Sequence, residues 1–336
     1  MPNIVITYQC NLHCPYCFAN EFVNKTKTNM SFEDFKKALG FIISYGESRV
    51  GLIGGEPLIH PEFETFLSYL ISNTSVTKVI VFTNGLLIDR FLDALKHPKV
   101  ELLINCNSPS QIGNNAYNKL VTNLELLNNI KSHDSFSFGL NIYDDCNDYS
   151  FIFLLLKKFS LKEVRISLTV PDFSKISTDA YTYYKNHKDK VLRLIQVFLS
   201  NNIVPYYDCN TLPLCIWTDE EREYLVSQSD IHKNTFSNIS YETFVCNPVI
   251  DILPDLNAIR CFGMSETSKV KINSFNNIMD LYEYYKNNID NATKEYPNIS
   301  NRCSHCIHYV SHNCMGGCLG FRDNNKKEEA ETLKRE

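Results

Sequence analysis

Cys10-Asn-Leu-His-Cys14-Pro-Tyr-Cys17 places three thiols in one short loop, directly after the β-rich run Asn3–Tyr8. Three thiolates at this spacing can take three corners of a cubane iron–sulfur cluster and leave its fourth iron without a protein ligand. An open coordination position supports chemistry, whereas a structural cluster or zinc site closes itself with four ligands. The next cysteine, Cys106, lies far along the chain. His13 sits inside the loop between two cysteines and is expected to point away from the metal. By itself the loop also reads as a zinc knuckle or as unrelated core thiols.

Outward from the loop, a second strand, Arg49–Ile53, runs into Gly54-Gly55-Glu56-Pro57, and a third, Lys78–Phe82, into Thr83-Asn84-Gly85. Further strands are expected at Val100–Cys106, Phe136–Tyr143 and Glu163–Thr169, each after a helical stretch. Ser31 and Asp34 resemble a capping box, and Phe32, Phe35, Leu39, Ile42 and Ile43 then share one helical face. Pro61 is placed in the first turn of the next helix, where Phe63, Phe66, Leu67, Leu70 and Ile71 carry the period. Six strands alternating with helices give a parallel α/β sheet covered on both faces, with ligands gathering at the carboxyl ends of the strands. Periodicity leaves an open sheet and a curved partial barrel both available.

The cysteine loop at the end of one strand and Gly-Gly-Glu-Pro at the end of the next resemble the radical S-adenosylmethionine (radical SAM) superfamily. The resemblance implies a partial (βα)6 TIM-type barrel over about residues 1–201. It also implies a [4Fe–4S] cluster on Cys10, Cys14 and Cys17 whose open iron is chelated by the amino and carboxylate groups of SAM. The reduced cluster then breaks the sulfonium and releases a 5'-deoxyadenosyl radical. Tyr16 supplies a flat face beside the cluster, Gly54 and Gly55 let backbone approach a ligand, and Pro57 fixes the turn. Glu56 is the expected acceptor for the ammonium of the methionine moiety. Thr83, Asn84 and Gly85 resemble the family's third-strand contact, and Asn107 and Asn141 are candidates for a ribose hydroxyl or the carboxylate. Strand-end hydrogen bonding is the alternative for each asparagine.

Beyond a helix at about Thr178–Asn201 the pattern changes to a Cys-rich α+β region, residues 202–321, followed by a charged tail at 322–336. Val249–Leu253 and Ala258–Cys261 read as a β-hairpin around Pro254-Asp255. Cys303-Ser-His-Cys306 and Cys314-Met-Gly-Gly-Cys318 form a strong metal signature, and Cys246 and Cys261 bracket the hairpin. This resembles the auxiliary iron–sulfur region (SPASM or the shorter twitch type) of many radical SAM enzymes. In that pattern a hairpin pair and a late cysteine share one cluster and the C-x2-C group builds another. Here no cysteine follows Cys318 and the gap from Cys306 to Cys314 is longer. Cys209 and Cys215, however, lie upstream, and the eight cysteines suffice for one or two auxiliary [4Fe–4S] clusters. One cluster with structural thiols, a cluster with an open iron, or zinc at 303–318 are the alternatives. His305, His308 and His312 read as packing or second donors. Cys106 ends the fourth strand and is a candidate hydrogen-atom donor, with an inert core thiol as the alternative.

Composition agrees with a cytosolic metalloprotein. Thirteen cysteines, an odd number in clusters along 336 residues, argue against a disulfide scaffold. A net charge of −5 offers no basic field for nucleic acid. No apolar run reaches the length of a membrane span, and the start lacks a basic-then-apolar signal, so a cytoplasmic location is expected. The expected function is a radical SAM oxidoreductase or maturase that modifies a short ribosomally made peptide. The first strand begins at once, so no peptide-recognition domain is expected ahead of the barrel. Dehydrogenation or epimerisation of an amino sugar or nucleotide sugar, or a non-catalytic electron carrier, are the alternatives. A flavodoxin or ferredoxin is the expected reducing partner.

Overall fold

Parallel strands joined by helices build the first half of the chain, as a computed structural model describing residues 1–132, 135–143, 148–170, 179–207, 209–210, 212–231, 246–291 and 302–321. The charged tail, the remaining cysteine Cys146 and Thr178, the first residue of the expected helix, lie outside the described residues. The strands are β1 Asn3–Thr7, β2 Arg49–Gly54, β3 Lys78–Thr83, β4 Val100–Asn105, β5 Phe136–Ile142 and β6 Glu163–Leu168. Between them lie α1 Phe32–Ile43, α2 Phe63–Ser72, α3 Leu92–Leu95, α4 Pro109–Ile112, α5 Asn114–Ile130 and α6 Ser150–Lys158. α7 Ala180–Ser200, β7 Val204–Tyr207 and α8 Asp219–Ile231 follow. A hairpin region then carries β8 Asp251–Ile252, β9 Asn257–Ile259, β10 Val270–Lys271 and α9 Ile278–Tyr284.

The chain forms two compact units. The first comprises Met1–Leu140, Asp148–Leu161 and Pro248–Tyr285, and the second Asn141–Asn147, Lys162–Asn247 and Lys286–Glu336. The hairpin joins the first unit because β8 pairs in parallel with β1, Asn3 opposite Asp251. That pairing is invisible to local periodicity.

In the first unit, β1, β2, β3, β4 and β5 pair in parallel in that order, and β8, β9 and β10 extend the sheet beyond β1. All five residues of β1 are buried, as in a parallel sheet covered on both faces. α1 starts where Ser31 accepts from the Asp34 backbone N–H at 3.1 Å, and the Ser31 hydroxyl donates to the Asp34 carboxylate at 2.8 Å. Its buried face, Phe35, Ala38, Leu39 and Ile42, stacks Phe35 on Phe66 of α2 at 4.3 Å. Each such fully buried aromatic ring contributes about 2–3 kcal/mol by burial. Pro61 precedes α2 instead of entering it. The β1–β2 register slips between Val5 and Thr7, which turns the chain out of the strand and into the cysteine loop.

Asp251, in β8, is buried, and Asn3 Nδ2 of the adjacent β1 donates to its Oδ1 at 2.7 Å. Burial pushes its carboxyl up to about 7, against the Asn3 hydrogen bond and the chain's amino-terminal charge. The folded state therefore holds a proton that the unfolded chain sheds at about pH 4, so this contribution to stability is complete below that pH and is lost as pH rises through about 7. Asp251→Asn keeps the acceptor for Asn3 and removes the titration. Its melting temperature relative to wild type should rise by several degrees between about pH 5 and about pH 8, read by thermal unfolding. A constant difference across that range would refute the assignment.

In the second unit β6 pairs in parallel with β7, Val164 opposite Pro205. Sequence reading missed β7, because a proline inside a run argues against a strand, but an edge strand tolerates the missing N–H. α7 is capped by Asp179, which accepts from Thr182 N–H, and buries Tyr183, Tyr184, His187, Val191, Leu194, Ile195 and Phe198. Among the described residues no helix is long and apolar enough to cross a membrane.

Candidate functional site

The carboxyl ends of β1, β2, β3 and β4 carry the cysteine loop, Gly54–Pro57, Asn84 and Asn107 respectively. Within the loop, Cys17 N–H donates to the Cys14 carbonyl at 3.1 Å and Leu12 N–H points at Cys10 Sγ at 3.4 Å. Asn24, at φ 58°, clasps Cys10 from both sides: its Oδ1 accepts from Cys10 N–H at 2.9 Å and its Nδ2 donates to the Cys10 carbonyl at 3.2 Å. Thr7 and Gln9 both donate to Asn29 Oδ1, at 2.6 and 2.9 Å, and fix the strand exit. His13 is exposed, with its Nδ1 3.3 Å from Asn24 Nδ2.

Gly54 and Gly55 stand where two backbones approach closely. Their close backbone approach is to the cysteine loop. Gly55 N–H donates to the Thr7 carbonyl at 2.9 Å and Glu56 N–H to the Gln9 carbonyl at 2.8 Å. A Cβ on Gly55 would lie 2.3 Å from the Gln9 carbonyl oxygen, and one on Gly54 2.5 Å from that of Thr7. Glu56 turns inward and is 1% exposed. Its Oε1 accepts from Leu58 N–H at 3.2 Å and the Thr83 hydroxyl at 2.7 Å, and its Oε2 from Asn84 N–H at 2.7 Å. Burial raises this carboxyl to about 7 in spite of those three donors. Oε2 keeps one lone pair beyond the Asn84 bond. Pro57 is buried and begins the turn Pro57–Ile59.

Asn84 Nδ2 donates to Asn11 Oδ1 at 2.7 Å, a link between the third-strand turn and the loop. Asn107, 2% exposed, accepts from the Tyr16 hydroxyl through Oδ1, which also lies 3.8 Å from Cys14 Sγ. Asn141, in the second unit, lies with its Oδ1 3.5 Å from Arg165 Nη1. Cys106 is buried, its thiol directed at the Ile104 carbonyl at 3.5 Å, and burial keeps it protonated. Asn11, Asn24 and Asn29 were not singled out from the sequence. The signal available was a run of asparagines at turn positions, which is common in loops without function.

The three thiols fit an iron–sulfur cluster. Each is half-buried, and they lie within electrostatic reach of one another. Burial first pushes the Cys10 thiol up to about 12, Leu12 N–H opposing it, and charge on Glu56, Cys14 and Cys17 pushes the same way. Burial likewise raises Cys14 and Cys17. Coordination must therefore displace three protons, so cluster assembly favours high pH.

In the second unit Cys215, Cys303, Cys306 and Cys314 line one cavity. Around the buried hydroxyl of Tyr184 lie Cys318, whose N–H donates to it at 2.8 Å, and Asn210, whose Oδ1 accepts from it at 2.5 Å. Burial raises the Tyr184 phenol, as does charge on Cys318, Cys209 and Cys246. Cys261 belongs to the first unit, where Arg260 Nη1 donates to its sulfur at 3.8 Å.

Residues 4–142 match the family model of the Radical SAM superfamily. The chain is 32% identical over 146 residues to the GTP 3',8-cyclase of Synechocystis sp., covering 41% of this chain and 43% of that protein. It thus spans less than half the length of that curated relative. Two solved structures share the fold: anSMEcpe with bound AdoMet and Cp18Cys peptide, and Streptococcus suis SuiB bound to precursor peptide SuiA. The first has a TM-score of 0.63 at 19% identity, over 96% of this chain and 90% of the other. The second has 0.60 at 15%, over 95% and 71%. At these identities the likeness is one of fold, the α/β partial (βα)6 barrel expected from the sequence. The three-cysteine loop at the end of β1 falls within residues 4–142, the part of the chain that matches the Radical SAM superfamily, whose cofactors are a [4Fe–4S] cluster and S-adenosylmethionine.

Proposed function

We propose that this enzyme abstracts a hydrogen atom from a residue of a ribosomally made peptide and completes a net oxidation with auxiliary iron–sulfur clusters of the SPASM or twitch type. Bound at Cys10, Cys14 and Cys17, the reduced cluster and SAM supply a 5'-deoxyadenosyl radical. The chain's own residues hold and orient. Tyr16, tied to Asn107, offers a ring beside the loop. The spare lone pair of Glu56 Oε2 would accept from the ammonium of the methionine moiety, and Asn84 and Asn107, beyond the ends of β3 and β4, would meet its remaining polar groups. A flavodoxin or ferredoxin supplies the electron.

The observation that carries this reading is the three half-buried thiols docked on Gly54–Pro57 through Thr7 and Gln9. The peptide substrate is supported by the Cys-rich second unit and by likeness of fold to two proteins solved with bound peptides. A small-molecule substrate, a nucleotide or nucleotide sugar, is the second reading, favoured by curated relatives named GTP 3',8-cyclase. Anaerobic incubation with dithionite, SAM and either a deuterated peptide encoded beside the gene or GTP separates the two. Deuterium in 5'-deoxyadenosine from the peptide is the expected result. Consumption of GTP with no transfer from any peptide would overturn it.

A further inference from the structure

Four cysteines from three separated segments open onto a single cavity of about 60 Å3 in the second unit. Cys303 and Cys306 are spaced by a tight turn in which Cys306 N–H donates to the Cys303 carbonyl at 3.1 Å. Cys314 is anchored by its N–H on the His308 carbonyl at 2.9 Å, and Gly316 N–H points at its sulfur at 3.2 Å. Cys215 comes from upstream, in the turn Leu214–Ile216, where Leu214 and Ile216 are buried and Cys215 is exposed. We propose that Cys215 is the fourth ligand of a closed cubane iron–sulfur site with Cys303, Cys306 and Cys314, and that Cys209, Cys246 and Cys318 serve a different centre. This rests on the reading that the second unit carries auxiliary clusters.

Size decides between a cubane and a single ion. A tetrathiolate zinc holds all four sulfurs about 2.3 Å from one point. Among the described residues no three His, Cys, Asp or Glu side chains converge on such a point. The cavity is several times the roughly 10–15 Å3 that one water needs. A cubane spreads its ligands because each thiolate takes a different iron. The cavity wall also carries Arg302, stacked over the Tyr181 ring at 4.7 Å, a cation that offsets the net negative charge of four thiolates on the cluster.

Tyr184 separates the two sets of thiols. It lines the cavity, while its hydroxyl is held by Cys318 N–H and by Asn210, the neighbour of Cys209. Gly317, at φ 101°, lets the backbone beside Cys318 press on this ring, since a Cβ there would meet Tyr184 Cε2 at 2.5 Å. With four protein thiolates the cavity site has no vacant position for a donor atom of the substrate. The substrate is therefore not gripped by this centre.

Timed alkylation of the full-length holoprotein and of the iron-chelated protein, read by mass spectrometry, tests the ligand set without any substitution. Cys215, Cys303, Cys306 and Cys314 should lose reactivity together, by at least about tenfold, when iron is present. Cys215→Ala should then lose about four irons or gain a three-iron signal on mild oxidation in electron paramagnetic resonance, whereas Cys106→Ala should do neither. Cys215 reacting equally fast in holoprotein and chelated protein, with the other three protected, would overturn the assignment, as would zinc in place of iron. If that same preparation still forms 5'-deoxyadenosine, only the ligand set has failed. Absence of any iron beyond the amino-terminal cluster would instead remove the auxiliary reading beneath it.

Discussion

Cys10, Cys14 and Cys17 replaced together by alanine should leave a protein that forms no 5'-deoxyadenosine above a protein-free control. The three thiols stand in one loop and no other cysteine of the described residues belongs to that loop, so no substitute ligand is at hand. About four irons per chain should be lost with them. The second unit is built from other segments and should keep its iron, which also counts the auxiliary centres: about eight irons retained for two, about four for one. Anaerobic assay of wild type and variant, with iron and sulfide analysis on the same samples, gives both readings. Turnover of SAM by the variant at the wild-type rate would refute the radical SAM assignment of this loop.

Gly55→Ala should be nearly as damaging, although Gly55 is neither a ligand nor a charge. Its added methyl would lie 2.3 Å from the Gln9 carbonyl oxygen and 3.0 Å from Cys10 Cβ. Both belong to the backbone and first ligand of the loop, so relief requires the loop itself to move. Such overpacking costs about 1–3 kcal/mol. The larger effect should be on cluster loading, because displacing Cys10 breaks the alignment of three thiols on one cubane. Gly40→Ala is the control, since a Cβ there meets nothing within 4 Å and the helix gains about 0.5–1 kcal/mol. The expected pattern is loss of amino-terminal iron and of 5'-deoxyadenosine in Gly55→Ala, with Gly40→Ala at wild-type levels. Equal iron content in the two would show that the approach of Gly55 to the loop is not what positions Cys10.

Some residues were assigned their true partners by sequence spacing and others were not. Ser31 and Asp34 cap α1 as their three-residue spacing implies, because capping is a local hydrogen bond. The hairpin around Pro254-Asp255 forms for the same reason. By contrast, the contacts of Gly54 and Gly55 with Thr7 and Gln9 join segments more than forty residues apart, which spacing does not show. Asn107 and Asn141 looked alike, yet Asn107 holds Tyr16 beside the cysteine loop and Asn141 lies by Arg165 in the other unit. Pro205 hid β7, since only an edge position excuses its missing donor.

The chain's order of residues by itself determined that thiols, glycines and turns sit at successive strand ends, because ligand spacing, helical period and caps are written within a few neighbouring residues. Only the tertiary structure decided which cysteines share a cavity, that the hairpin belongs beside β1, and that Asp251 is buried against Asn3, 248 positions away. Those outcomes depend on which distant surfaces exclude water together, and burial between remote segments leaves no periodic trace in either of them.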